Sequence, residues 1–143
     1  MAQVRGRLLS LGFTDQEIQK AVATAEAAGL LDDEIFTKIW VEDRLLHHPL
    51  SRRAIGQELA DKGIDRGTAD AALERLYPAE KEKELALGMA QARLARYASL
   101  DRSKRMQRTI SFLTRQGFSF SLARSVVEIA DKESDQGIGE LND

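Results

Sequence analysis

The 143-residue sequence has no cysteine, two prolines, 6% aromatic residues and no apolar run long enough to span a membrane. Without cysteine the chain forms no disulfide and has no thiol nucleophile or cysteine-based metal site. The scarcity of proline and aromatic residues favours helices over a β-sandwich or barrel. Because no charged and apolar leader opens the chain, we expect a soluble, cytoplasmic protein.

What the chain does have is charge, and the charge is unevenly distributed. Hydrophobic residues make up 43% and charged residues 31%, a balance typical of a globular protein. Residues 14–43 carry a net charge of −6, residues 93–116 carry +6 and residues 128–143 carry −5. This asymmetry favours a partner of opposite charge, either nucleic acid or a protein with an acidic groove. The alternative is that solvated helices of a charge-rich protein simply alternate in sign.

Three segments of the chain repeat one pattern around a glycine. In each, a leucine precedes the glycine by four residues, an apolar residue follows it, and Thr, Asp or Ser comes next. The glycines lie 51 and 54 residues apart and are Gly12, Gly63 and Gly117. A helix commonly ends where glycine takes the left-handed conformation, and a Ser, Thr or Asp then caps the next helix. The pattern therefore predicts three units of helix, glycine turn and helix, with caps at Thr14, Asp65 and Ser119.

A further helix is predicted after each of the first two units. Asp32 and Asp33 are expected to open and cap the first of these helices, since acidic residues at a helix start interact favourably with its dipole. This helix should stop near Pro49. Its apolar stripe, expected to pack in the core, contains Ile35, Phe36, Ile39, Trp40 and Leu46. The second such helix follows Pro78 and covers residues 79–98.

The predicted fold is all-α, a tandem array of three-helix repeats with the last repeat incomplete. The repeats are expected at residues 1–46, 47–99 and 100–130. An acidic C-terminal tail is expected at residues 131–143, and the protein is expected to be a monomer.

No pattern in the sequence points to catalysis. Asp32 and Asp33 lack the histidine or glycine-rich loop that a metal or acid–base site needs. His47 and His48 are adjacent, so their side chains point apart, and the sequence has no other histidine. The string Gly137-Ile138-Gly139 lacks the preceding strand and the additional glycine of a phosphate loop. We predict no enzymatic activity, no catalytic residue, no metal site and no cofactor.

Three strings of residues follow one another in a fixed order. The first contains Gly29-Leu30-Leu31-Asp32-Asp33, Phe36, Trp40-Val41 and Arg44. The second contains Pro49, Ser51, Ile55, Glu58-Leu59 and Lys62-Gly63-Ile64. The third contains Lys104, Arg108, Phe112-Leu113, Arg115 and Gly117-Phe118. Together they resemble the signature and the C-terminal repeat of the RecX family of recombinase regulators, over roughly residues 4–130.

The resemblance implies an elongated, curved molecule. Family members carry more helical sequence before the first glycine turn than the residues that precede Gly12 here, so either the chain lacks part of its first helix or its start lies downstream of the usual one. The resemblance also implies a partner. Members of the family bind the RecA recombinase and lodge in the groove of the RecA–DNA filament. There they inhibit strand exchange and ATP hydrolysis and limit filament growth without catalysing a reaction. A curved row of helical repeats offers the extended concave surface that such binding needs.

Basic residues are the predicted contacts with RecA or with DNA phosphates. Several crowd the start of the final repeat, where a helix N-terminus would prefer acids, so their placement favours a role in binding. The candidates are Arg44, Arg52, Arg53, Arg93, Arg96, Arg102, Lys104, Arg105, Arg108 and Arg115. No aromatic stacking platform accompanies them, so base readout is not expected. The alternative function is an independent DNA-binding module of the helix-turn-helix type.

Overall fold

A computed structural model of the protein describes the backbone of Gly12 and of residues 14–142. These residues form six helices and no strand. The helices are α1 (Asp15–His47), α2 (Arg52–Asp61), α3 (Arg66–Leu76), α4 (Ala79–Arg96), α5 (Arg102–Arg115) and α6 (Phe120–Asn142). The all-α prediction is confirmed. None of the described helices has the length and apolarity that crossing a membrane requires.

The repeated glycines occupy the turns that their spacing predicts. Their φ angles are 89° for Gly12, 83° for Gly63 and 95° for Gly117, and no other residue in the described part has a positive φ. This left-handed conformation is strained for any residue with a Cβ atom. The turns at Gly63 and Gly117 therefore end one helix and redirect the chain into the next.

Side-chain oxygens then cap the helices that follow the turns. Thr14 accepts the Glu17 backbone N–H at 3.2 Å, and Glu17 completes a capping box. The hydrogen bonds from Thr14 lower the pKa of the Glu17 carboxyl. Asp65 accepts two backbone N–H groups at the start of α3, and Ser119 accepts the Leu122 N–H at 3.1 Å. These bonds satisfy donors that have no partner inside the helix.

Replacing Gly63 by valine tests the turn between α2 and α3. A β-branched residue forced to a φ of 83° should lower the free energy of unfolding by roughly 1–2 kcal/mol or more. Urea denaturation followed by circular dichroism would measure the change. A neutral substitution would mean that Gly63 does not hold a left-handed conformation in solution.

Asp32 and Asp33 do not cap a helix, and this prediction is wrong. The backbone of α1 is helical without a break from Asp15 to His47, so both residues lie in its interior. Gly29 stands in a stretch rich in alanine and leucine, and one interior glycine costs only about 1 kcal/mol relative to alanine. Two new helix ends would leave many more backbone groups without partners. Continuing the helix is therefore the cheaper solution.

The chain divides into two compact units, and the first combines α1 with Ile55–Leu76. Here α1 packs against α3. Thr37 and Val41 are fully buried on α1, and Ala69, Ala72 and Leu73 are buried on α3. Ile55 and Leu59 of α2, and Ile64 after the Gly63 turn, are also buried.

The core-facing side of α1 is not the one predicted. Ile35, Phe36, Ile39 and Leu46 were expected in the core, yet they are 51%, 40%, 61% and 77% exposed. Trp40 is half-buried. The packed side contains Thr37 and Val41, which helical geometry places opposite Ile35 and Ile39. The apolar stripe predicted for the core is therefore mostly exposed to solvent.

The second unit contains residues 49–54 and everything from Tyr77 onward. Its core lies among α4, α5 and α6 and includes Ala86, Ala90, Leu94, Leu113, Phe118, Ala123, Val126, Val127 and Ala130. The buried Tyr77 hydroxyl donates a hydrogen bond to the Leu50 carbonyl at 2.8 Å. Burial, together with the nearby Glu82 carboxylate, raises the pKa of Tyr77 above its usual range.

The backbone of the predicted tail is helical from residue 131 to Asn142, so this part is not separate from the last helix. The α6 helix continues through these residues, and Asp131, predicted as the first residue of the acidic tail, is 3% exposed at its side chain. Its carboxylate is tied to α5 by ion pairs. The acidic character of the segment is retained, but its first residue belongs to the folded core.

Candidate functional site

The predicted basic contacts fall into two groups, those used inside the fold and those left exposed. Arg44 belongs to the first group. Its guanidinium pairs with both carboxylate oxygens of Glu58, at 3.0 and 2.8 Å. It also lies 4.6 Å from the centre of the Trp40 ring, and Lys62 lies 4.2 Å from the same ring. Cation–π and bidentate contacts of this kind hold α1 to α2.

Arg102 and Arg105 are also engaged within the protein. Arg102 donates to the buried Asp131 carboxylate at 2.8 Å, and an Arg105 nitrogen lies 3.9 Å from the other oxygen. Arg105 additionally donates to the Leu100 carbonyl at 3.1 Å. These contacts fasten the start of α5 to α6. We conclude that their first role is structural.

Four other predicted contacts differ in how much of each residue is used inside the fold. They are Arg52, Arg53, Arg93 and Arg96. The Arg52 backbone N–H donates to Glu82 at 2.8 Å, and its side chain is half-buried, while Arg53 is exposed. The Arg93 guanidinium lies 3.7 Å from the centre of the Phe112 ring, which fixes it against α5. Arg96 is exposed in the last turn of α4.

The exposed side of α5 carries the remaining cations. Lys104, Arg108 and Arg115 recur at intervals of four and seven residues and so lie on one face, together with Gln107 and Ser111. We call these five residues the α5 basic face. The helix contains no acidic residue, and no ion pair joins these three cations to an acid in the described part of the chain.

A shallow cavity of about 440 Å³ lies along this face. It is lined by Tyr97, Gln107, Arg108, Ser111 and Arg115. The Arg108 guanidinium lies 6.0 Å from the centre of the Tyr97 ring. The lining therefore offers two guanidinium groups, an amide and hydroxyl donors, which suits oxyanions such as carboxylates or phosphates.

The described residues offer no metal site. No three of their His, Asp or Glu side chains are grouped so that they could hold a metal ion. His47 lies 3.2 Å from Asp43 in an exposed pair one helical turn apart. The chemistry that the α5 basic face offers is thus charge and hydrogen bonding.

Comparison with known proteins identifies the family. Models of the second and third three-helix domains of RecX match residues 32–73 and 80–127. The regulatory protein RecX of Streptomyces lividans is 33% identical over 141 residues, covering 99% of this chain and 74% of that protein. The chain belongs to the RecX family. The regulatory protein RecX of Streptomyces coelicolor is also 33% identical, over 90% of this chain and 68% of its own length.

A solved RecX structure shares the fold. The crystal structure of RecX from Lactobacillus salivarius superimposes with a TM-score of 0.73 at 22% identity, over 91% of this chain and 84% of that one. Tandem three-helix domains are therefore the architecture of this RecX-family chain.

The RecX domain bounds divide the helices differently from the predicted repeats at 1–46, 47–99 and 100–130. The first match begins at residue 32, inside α1, and the second begins at residue 80, at the start of α4; each ends within the helix after the glycine turn. Sequence reasoning assigned the second part of α1, and α4, to the end of the preceding repeat. The family-model matches instead place these segments at the start of a domain.

Sequence reasoning missed two residues of the α5 basic face and one residue that pairs with a predicted basic contact. Gln107 and Ser111 were passed over because neither carries charge, although their spacing from Lys104 places them on its face. Asp131 was missed as the partner of Arg102, since 29 residues separate them and no local signal connects the two. Gln107 and Ser111 could have been found by listing every residue on a helical face that has cations and no acid.

Proposed function

We propose that this RecX-family chain is a non-enzymatic regulator of the RecA recombinase that acts in the cytoplasm as a monomer. The observation that carries the proposal is the α5 basic face, where three cations lie together with no acidic partner in the described part of the chain. Exposed cations contribute little to folding but much to association with an oppositely charged surface. The relatives' name, regulatory protein RecX, supports the same assignment.

The α5 basic face would meet the RecA–DNA filament in its groove. Carboxylates of RecA and phosphates of DNA both match the forked donors of Arg108 and Arg115. Occupying the groove would obstruct strand exchange, ATP hydrolysis and filament growth without any reactive group. If phosphates are contacted, each one should steepen the logarithmic salt dependence of binding by about one counterion.

Reversing the charge of the α5 basic face tests the proposal. The variant Lys104→Glu/Arg108→Glu/Arg115→Glu should weaken inhibition of RecA ATP hydrolysis about tenfold or more, because attraction becomes repulsion. Its melting temperature should stay close to the parent's, since the three side chains are exposed. A titration of RecA on single-stranded DNA with each protein would measure the effect.

A matched control distinguishes the effect of charge on the α5 basic face from the effect of the protein's net charge. Lys81→Glu/Lys83→Glu/Lys132→Glu changes the net charge equally at three exposed lysines outside the face. This control should inhibit RecA like the parent protein. Equal inhibition by the parent and the α5 variant would remove the proposed role of the face.

The competing function is a helix-turn-helix module that binds DNA alone, because α5, Gly117 and α6 have that order. In such a module the second helix reads the major groove. Here Arg124, in the first part of α6, pairs with Glu128 at 3.1 Å, and the cations of the α5 basic face lie on the first helix instead. Tight, sequence-specific binding to bare DNA at moderate salt, with nothing added by RecA, would favour this module.

A further inference from the structure

A second surface, unrelated to the α5 basic face, lies on α1. Five large apolar side chains are exposed in the described part of the chain, and four of them are on this one helix. They are Ile35, Phe36, Ile39 and Leu46, which we call the α1 apolar stripe. At 100° per residue, Ile35, Ile39 and Leu46 fall within about 40° of arc. A contiguous exposed stripe of this kind typically marks an interaction site.

The base of the stripe is rigid. Phe36 stacks on Trp40 with ring centres 5.9 Å apart and an angle of 24° between the planes. Trp40 is in turn held by Lys62, 4.2 Å from its ring, and by Arg44, which is locked by Glu58. A partner therefore meets a preformed surface and loses little free energy to ordering it.

The rim of the stripe is acidic. Asp32, Glu42 and Asp43 are exposed along it, Lys38 is exposed between them, Lys62 is half-buried against Trp40, and His47 is paired to Asp43 at 3.2 Å. Arg44 does not offset this charge, because its guanidinium is paired with Glu58. In a symmetric contact between two copies, each stripe would bring its acids against those of the other. The charge thus disfavours a second copy and favours a basic partner.

We propose that the α1 apolar stripe binds an amphipathic helix of a partner protein, one whose apolar residues are flanked by lysine or arginine. Apolar anchors of such a helix, three and four residues apart, match the spacing of Ile35 and Ile39 on α1. Its flanking cations meet Asp32, Glu42 and Asp43 at the rim. The proposal does not depend on RecA or on the α5 basic face.

The protein contains its own reporter for this contact, because its single tryptophan is Trp40, stacked beneath Phe36. The probe is a tryptophan-free helical peptide of about five turns, with leucine on one face and lysine beside it. Titrating it into the full chain should shift the Trp40 emission and saturate. The same peptide with every lysine replaced by glutamate should bind at least tenfold more weakly, because it faces the acidic rim.

Variants of the full chain locate the contact. Ile35→Ser/Ile39→Ser should weaken binding of the lysine peptide at least tenfold, since both side chains lose apolar burial in the complex. Asp32→Asn/Glu42→Gln/Asp43→Asn should weaken it severalfold and flatten its salt dependence. Phe120→Ser is the matched control, because Phe120 is 62% exposed on α6 outside the stripe, and it should bind like the parent.

Two results would overturn the proposal. One is equal binding of the lysine peptide to the parent and to the Ile35→Ser/Ile39→Ser variant, with both folded by circular dichroism. The other is reversible dimerisation of the parent in sedimentation experiments that the same variant abolishes, which would assign the stripe to a second copy. Inhibition of RecA by the stripe variant bears on neither result, so the two proposals fail separately.

Discussion

Gly117→Ala is expected to lower the free energy of unfolding by about 3 kcal/mol and the melting temperature by roughly 8 °C. Two costs add at this position. The φ of 95° is strained for any residue with a Cβ atom. A Cβ there would also lie 2.5 Å from the Ser51 Oγ and 2.8 Å from the Ala54 Cβ, so atoms in the second unit must move.

The displaced Ser51 has its own structural role. Its Oγ accepts the Ala54 N–H at 3.0 Å, and its backbone N–H donates to the Gln116 carbonyl at 3.1 Å. Moving the side chain would weaken a helix cap that is typically worth about 1 kcal/mol. The turn at Gly117 therefore both redirects the chain and is hydrogen-bonded, through Gln116, to Ser51 at the start of α2.

Gly12→Ala separates the strain from the clash. Gly12 has a similar φ of 89°, but a Cβ there would meet nothing within 4 Å. This substitution should cost only the strain, about 1–2 kcal/mol. Thermal and urea denaturation of both variants would measure the difference. Equal losses at the two positions would show that the packing of Gly117 against Ser51 and Ala54 contributes nothing.

The features that sequence reasoning predicts well are local ones. A left-handed glycine, the apolar residue after it and the cap that follows lie within a few residues of one another. Thr14, Asp65 and Ser119 could therefore be assigned from spacing alone, and each caps a helix. Repetition of the pattern three times also predicts the tandem helices, because three chance matches are far less probable than one.

The features that could not be predicted are of two kinds. Some depend on whether a helix ends or continues, and others depend on contacts between residues far apart in the sequence. Asp32 can open a helix only if Gly29 ends the one before it. The helix instead continues through Gly29, from Asp15 to His47. The side of α1 that packs on α3 contains Thr37, a polar residue that a hydrophobic pattern assigns to the surface. The α4 core is built on Ala86 and Ala90, whose small side chains give a weak periodic signal.

The basic residues show the same limit. Sequence alone counts Arg102, Lys104, Arg105 and Arg108 as one cluster, because they lie within seven positions. The fold separates them, since the first and third reach the buried Asp131 while the other two face solvent. Reversing all four would mix loss of folding with loss of binding. The α5 cluster must therefore be tested as two pairs.

The double variant Arg102→Glu/Arg105→Glu is expected to lower the free energy of unfolding by about 3 kcal/mol. The Asp131 side chain is 3% exposed, so its carboxylate is poorly solvated and depends on the two arginines. The substitution removes both partners and places two more carboxylates beside it. Arg102 is 63% exposed, and water offsets part of the loss there, so the single Arg102→Glu variant should cost less than the double one.

Lys104→Glu/Arg108→Glu is the matched comparison, with the same charge change on the same helix. Neither residue pairs with an acid in the described part of the chain, so its free energy of unfolding should stay within about 0.5 kcal/mol of the parent's. Urea denaturation would measure both variants. If the two pairs destabilise equally, the Asp131 contacts do not hold α5 to α6. If only the Arg102 and Arg105 variant unfolds easily, loss of RecA inhibition by the folded Lys104 and Arg108 variant reports on binding alone.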